Sequence, residues 1–331
     1  MPRSIETRGS WVVAIVALAV LTVSYGAPLV TVVAMKPIAA EFGTARSVPA
    51  LAVSLTYIGA GMGGMLMGWI SGRIGVRRVV MACGVMLAAG LAAASLGGLW
   101  SLYLANLLLV GLLGAAGMFS PLMAYVTRWF DDHRGSAVAL VSSGQYVAGA
   151  LWPLILQLAV GTLGWRRTML LYAVLVVATI VPMAALFFRT PPDAPSAGPA
   201  TTRSSAAGPV LGLPPNLVLG LLALAIFCCC VTMSMPLSHM VAFCSDIGIG
   251  PVHGAAMLST QLAIGFVAQQ MWGWLADRLG GLRTILCASV SMAVAMAGFL
   301  VTQDEVGLFS VSAVFPALRY DNGVHGVKLE R

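Results

Sequence analysis

The sequence predicts an all-α polytopic membrane protein of about nine to ten spanning helices, and three observations predict it. Hydrophobic residues make up 59% of the 331 and charged residues only 9%, against about 25% charged in an ordinary soluble domain. So few charges cannot solvate a folded surface in water, which leaves lipid as the solvent. The apolar runs are about 20 residues long, far beyond the roughly 4–8 of a buried strand. The 37 glycines are abundant for such a chain, and small residues let helix backbones approach closely in a bilayer.

The first span is expected at 11–33, entered from MPRSIETRGS. Its run exceeds the roughly 7–15 apolar residues of a secretory signal, so it is read as retained. Five more follow at 48–71, 78–97, 99–125, 136–161 and 167–188. The stretch from Thr190 to Pro215, TPPDAPSAGPATTRSSAAGPVLGLPP, is rich in Pro, Ala, Ser and Gly and reads as a flexible linker. Beyond it come 215–240, 252–275 and 284–302, and a tenth run that starts near Val306 and fails after Phe315. The expected organisation is therefore a six-helix bundle over 1–189, a cytoplasmic linker over 190–214, a partial second bundle over 215–315 and a polar tail over 316–331. The glycine string Gly59–Gly64 suits helix packing, and Pro28, Pro121, Pro153 and Pro236 are expected to kink their helices.

The net charge of +7 is scattered between the apolar runs. No basic stripe with interleaved aromatics exists, so nucleic acid is not an expected partner; the lipid bilayer is. With the N-terminus inside, the inner segments hold Arg3, Arg8, Arg73, Arg77, Arg78, Arg128, Arg134, Arg189, Arg203, Arg278 and Arg283, and the outer ones only Lys36, Arg46, Arg166 and Arg167. The positive-inside bias thus expects a cytoplasmic N-terminus. The cysteines form no CxxC pair and read as small core residues. With no GxSxG, HExxH or GxxxxGK[ST] present, no enzyme, metal or cofactor is expected.

An internal repeat carries the functional argument. GWISGRIGVRR begins at Gly68 and GWLADRLGGLR at Gly273. The same offset superposes Trp69 on Trp274, Arg73 on Arg278, Gly75 on Gly280 and Arg78 on Arg283, and it brings the start of the first span onto the start of the seventh. Each copy sits in a tight inner turn, between spans two and three and between spans eight and nine. Glycine allows the sharp turn, and the arginines, Arg77 among them, anchor it at the inner surface. Asp277 suits a helix cap or a salt-bridge partner for a neighbouring helix start.

On these residues the sequence resembles the major facilitator superfamily, whose signature GxxxDRxGxRR occupies these two turns. The second copy carries it through Gly273, Asp277, Arg278, Gly280 and Arg283; the first departs at Gly72, where the family has Asp. A finer likeness, RWFDDHRGSAVALVSSGQYVAGALWP from Arg128 to Pro153, resembles the monocarboxylate and oxalate/formate porter branch. Those porters often place an Arg in span eight for a carboxylate, and here VHGAAMLSTQLAIGFVAQQMWGWLA has none. The resemblance implies secondary active transport of a small organic solute by alternating access, a carboxylate among the candidates. The expected location is a bacterial inner (plasma) membrane. The repeated motif would then gate the conformational change through Gly68, Arg73, Gly75, Arg77, Arg78, Gly273, Asp277, Arg278, Gly280 and Arg283.

Buried polar residues are the candidates for solute contact, since each costs energy unless paired or used. They are Tyr25, Asn106, Gln145, Tyr146, Gln261 and Gln269, with His239 near the outer end of span seven and Gln270 beside Gln269. Hydrogen bonding between helices is the competing role for each. No carboxylate lies well inside a span, so a coupling proton is not identifiable from the sequence. A second half as long as the first would run about 60 residues past Arg331. The expectation is that the last helices are missing, so that this chain transports poorly or is a non-transporting remnant or sensor.

Overall fold

The computed structural model describes residues 6–45, 47–188 and 251–301, with isolated helical positions between 217 and 228. Every described element is a helix: α1 (Arg8–Val33), α2 (Met35–Glu41), α3 (Ser47–Ile74), α4 (Val76–Leu96), α5 (Leu99–Leu104), a π-helical stretch (Ala105–Ala115), α6 (Ala116–Val126), α7 (Arg134–Ser142), α8 (Gly144–Leu163), α9 (Trp165–Phe187), α10 (Pro251–Leu279) and α11 (Gly281–Val301). The 190–214 linker, most of the seventh span, the tenth run, the 316–331 tail, Arg3, Arg46, Arg189, Arg203, Pro236, His239, Cys229, Cys230 and Cys244 lie outside the described residues.

Six described segments are long and apolar enough to cross a membrane: Arg8–Val33, Ser47–Ile74, Val76–Leu96, Leu99–Val126, Arg134–Leu163 and Trp165–Phe187. They occupy the positions expected for spans one to six. Helices α10 and α11 run where spans eight and nine were expected. Three details differ from the expectation. A seven-residue helix, α2, fills the first inter-span loop. Span five is divided at Ser143, between α7 and α8. Span four is not one regular helix: its middle is π-helical and Gly114 is non-helical, at φ −98° and ψ −111°. Glycine tolerates that geometry without a Cβ penalty, and Pro121, lacking an N–H, removes a hydrogen bond just downstream.

The chain divides into two compact units, one formed by Met1–Asp132 with Leu140–Ala197, the other by His133–Ala139 with Gly198–Arg331. The first is built for lipid. Large apolar side chains such as Ile15, Ile58, Met65, Leu154 and Val174 are exposed, while Ser10, Thr22, Ser24, Thr31, Thr56 and Asn106 are buried. Lipid tails are as apolar as leucine, so helices are held by close backbone approach and interhelical hydrogen bonds rather than by hiding apolar surface. Close approach is visible where α3 crosses span four. A Cβ on Gly63 would sit on the Leu112 backbone, and one on Gly111 would lie 2.5 Å from Thr56 O.

At the end of this bundle away from the repeated motif, Glu41 holds two loops together. Its carboxylate accepts from Trp165 Nε1 at 2.5 Å and from Arg166 Nε at 2.9 Å. The same guanidinium donates to Ser95 O. In the second unit, Ala268, Trp272, Ala276 and Ala288 form a small apolar core between α10 and α11.

Candidate functional site

The two copies of the repeated motif have the same local geometry. Gly75 and Gly280 end their helices at φ 87° and φ 82°, a left-handed conformation that any side chain would strain. Two residues before each glycine, Arg73 lies 3.8 Å from the Trp69 ring centroid, and Arg278 lies 4.0 Å from that of Trp274. Residues four apart share a helix face, so Trp-x-x-x-Arg stacks without help from the rest of the fold. Arg77, Arg78 and Arg283 are exposed on the turns. The sequence aligned Trp69 with Trp274 but gave the gating role to the glycines, the arginines and Asp277 alone.

The copies differ in what the fourth residue after the leading glycine does. Asp277 Oδ1 accepts from Gly135 N at 2.6 Å, and Oδ2 accepts from Ser136 N at 2.9 Å and from Ser136 Oγ at 2.6 Å. These amides belong to the first turn of α7 and have no partner inside their own helix. A carboxylate there also meets the positive end of the helix dipole. The helices reach this distance because they cross glycine on glycine. A Cβ on Gly135 would lie 2.6 Å from Gly273 O, and a Cβ on Gly273 would collide with Ala139. Gly273 and Asp277 are four apart on α10, so the crossing point aims the carboxylate at α7. Gln270, a turn earlier, donates from Nε2 to Ala139 O at 3.5 Å. In the first copy Gly72 offers no acceptor.

The candidate solute-contact residues do not gather into one described cluster. Asn106 is buried in the first unit, its Oδ1 accepting from Thr56 Oγ1 at 3.0 Å and Thr31 Oγ1 at 3.5 Å, and its Nδ2 donating to Leu102 O at 2.8 Å. It therefore ties α1, α3 and span four. Tyr25 is half-buried on α1 with its ring edge-on to Phe119, 6.4 Å between centroids. Gln145 is half-buried and Tyr146 buried on α8. Gln269 is buried on α10 in the second unit. The side chain of Gln261 lies outside the described residues.

Beside Tyr25 the structure adds a set the sequence did not single out. Trp152 Nε1 donates to Thr22 O at 2.8 Å, and Tyr172 OH donates to Val23 O at 2.8 Å. The two rings meet edge to face, 5.0 Å between centroids. Gly26 makes room for both; its Cβ would strike Tyr172 Oη and lie 2.7 Å from the Trp152 ring.

The sequence pattern described as "Major Facilitator Superfamily" matches residues 11–318. Among curated proteins, human "Monocarboxylate transporter 11" is 31% identical over 274 residues, covering 81% of this chain and 56% of that protein. Rat "Monocarboxylate transporter 13" is 26% identical over 277 residues, covering 81% and 61%. The chain spans somewhat more than half the length of the curated relatives it matches. Among solved structures, the Major Facilitator Superfamily transporter FucP in the outward conformation superposes with a TM-score of 0.72 at 14% identity, over 95% of this chain and 83% of that one. A pattern running from the first span into the last apolar run, two motif turns of matching geometry and this superposition agree: the chain belongs to the Major Facilitator Superfamily.

Proposed function

We propose that this chain carries a small organic solute across a membrane by alternating access, that the solute is a monocarboxylate, and that the Asp277 clasp on α7 is the latch of one conformational state. The observation that carries the reading is the three-bond cap of Asp277 on Gly135 and Ser136, made by a repeated motif turn on a helix start 141 and 142 residues away in the chain. A cap of this kind is worth about 1 kcal/mol. It is strong enough to bias two states and weak enough to break in each cycle. The solute class rests on the names of the relatives, human and rat monocarboxylate transporters. The bilayer is the partner that the exposed apolar faces of α1, α3 and α8 require, and the arginine distribution supports a cytoplasmic N-terminus. Tyr25, Gln145, Tyr146 and Gln269 remain the proposed solute contacts; Asn106 is better placed to hold its helices in register.

The test is binding of a panel of labelled solutes to the purified chain, followed through the fluorescence of its eight tryptophans. Saturable quenching by a short-chain monocarboxylate, weakened by Gln269→Ala, is expected. Saturable binding of a neutral sugar with none of a monocarboxylate would overturn the solute class. No saturable response to any solute would overturn the carrier reading.

A further inference from the structure

Four features of the turn between α3 and α4 belong together. Trp69 is 58% exposed with the Arg73 guanidinium stacked 3.8 Å from its ring centroid. Arg73, Arg77 and Arg78 are all exposed, and none pairs with a carboxylate among the described residues. Gly72 stands where the second copy has Asp277. Gly75 turns the chain at φ 87° with nothing within 4 Å of where a Cβ would be, so the space beside this glycine is open.

We propose that this turn binds the phosphate of an anionic phospholipid. The inference rests on the reading that the turn lies at a membrane surface. Three guanidinium groups within six residues, without a carboxylate partner among the described residues, attract negative charge, and each presents a fork of N–H donors that fits phosphate. The stack on Trp69 uses the face of the Arg73 guanidinium, leaving its edge free to donate. Trp69 and the 46% exposed Ile74 add apolar surface beside the charges. A free anion has no use for that surface, whereas a lipid presents glycerol and acyl carbons below its phosphate. An indole in this place sits at headgroup depth. The second turn shares the stack but not the charge balance. Its Asp277 carboxylate is present and committed to α7, beside Arg278 and Arg283. The two turns have therefore divided the labour: one grips a helix, the other a headgroup.

The experiment is native mass spectrometry of the full chain in detergent, titrated with short-chain phosphatidylglycerol and, separately, phosphatidylcholine. Preferential retention of phosphatidylglycerol is expected. Each basic residue near a membrane surface contributes about fivefold in affinity, so Arg77→Ala with Arg78→Ala should weaken binding by about 25-fold. Gly72→Asp, which keeps every arginine and installs the acid of the second copy, should weaken it about fivefold. Arg283→Ala should change it by less than about twofold. Equal retention of the two lipids overturns the proposal, as does displacement of phosphatidylglycerol by an equal concentration of inorganic phosphate, and as does undiminished binding by Gly72→Asp. None of these readouts depends on solute transport, so the carrier reading can fail while this one holds, and the reverse.

Discussion

Residue by residue, the described carboxylates Glu6, Glu41 and Asp277 each accept from groups distant in sequence. Asp277 satisfies two helix-start amides and one hydroxyl at once. Replacing it with Asn keeps the shape but removes the charge and one acceptor oxygen, at a cost of about 1 kcal/mol. The expected outcome of Asp277→Asn is faster hydrogen exchange at the amides of Gly135 and Ser136, with exchange in α4 unchanged; equal protection in both proteins would mean the carboxylate is not the cap. Glu41 works outside the spans. Its hydrogen bond with the Arg166 guanidinium, assisted by Trp165 and opposed by burial, holds its carboxyl below the usual 4.5. A depressed carboxyl pKa adds stability that is fully present above the unfolded value and is lost as pH falls through the folded one. Wild type should therefore melt above Glu41→Gln at neutral pH, and the gap should close well below pH 4.5. A gap that is the same at both pH values would show that the charge is not what matters.

At the scale of the element, span four departs furthest from the regular helix its sequence suggests. A run such as ANLLLVGLLGA reads as unbroken helix by hydropathy alone. The structure makes it π-helical and breaks it at Gly114, directly against α3 and α4, where Leu87 Cδ1 lies 2.9 Å from a would-be Gly114 Cβ. Asn106 stands at the head of this stretch and pins it to Thr31 and Thr56. Asn106→Leu should lower stability by about 1 kcal/mol, because Thr56 keeps its bond to Ala52 O while the ties between helices are lost. Thermal unfolding in detergent checks this; a variant more stable than wild type would assign Asn106 to solute contact instead. The sequence marked Asn106 as a buried amide but could not tell a solute contact from a tie, since both demand a polar group inside an apolar run.

At the scale of the whole molecule, the exposed apolar faces and buried small polar residues are those of a chain dissolved in lipid. The motif repeat has a counterpart in three dimensions. Gly75 and Gly280 share a positive φ, and Trp69–Arg73 and Trp274–Arg278 share a stacking distance to within 0.2 Å. Equivalent sequence in equivalent turns has folded twice to the same local answer, while Gly72 and Asp277 send the two turns to different partners.

The all-helical membrane class, the places of the first six spans, the two motif turns and the family were legible in the sequence. Those features follow from local quantities, namely run length, the spacing of Gly and Arg and the repeat, and lipid offers the backbone no alternative to closing its own hydrogen bonds. That Asp277 caps α7, that Asn106 meets Thr31 and Thr56, and that Trp152 and Tyr172 grip α1 at Gly26 became visible in the folded chain. Those pairings join residues 50 to 149 positions apart, and they depend on which glycines let two backbones touch. An apolar run does not encode its neighbour; the crossing point does.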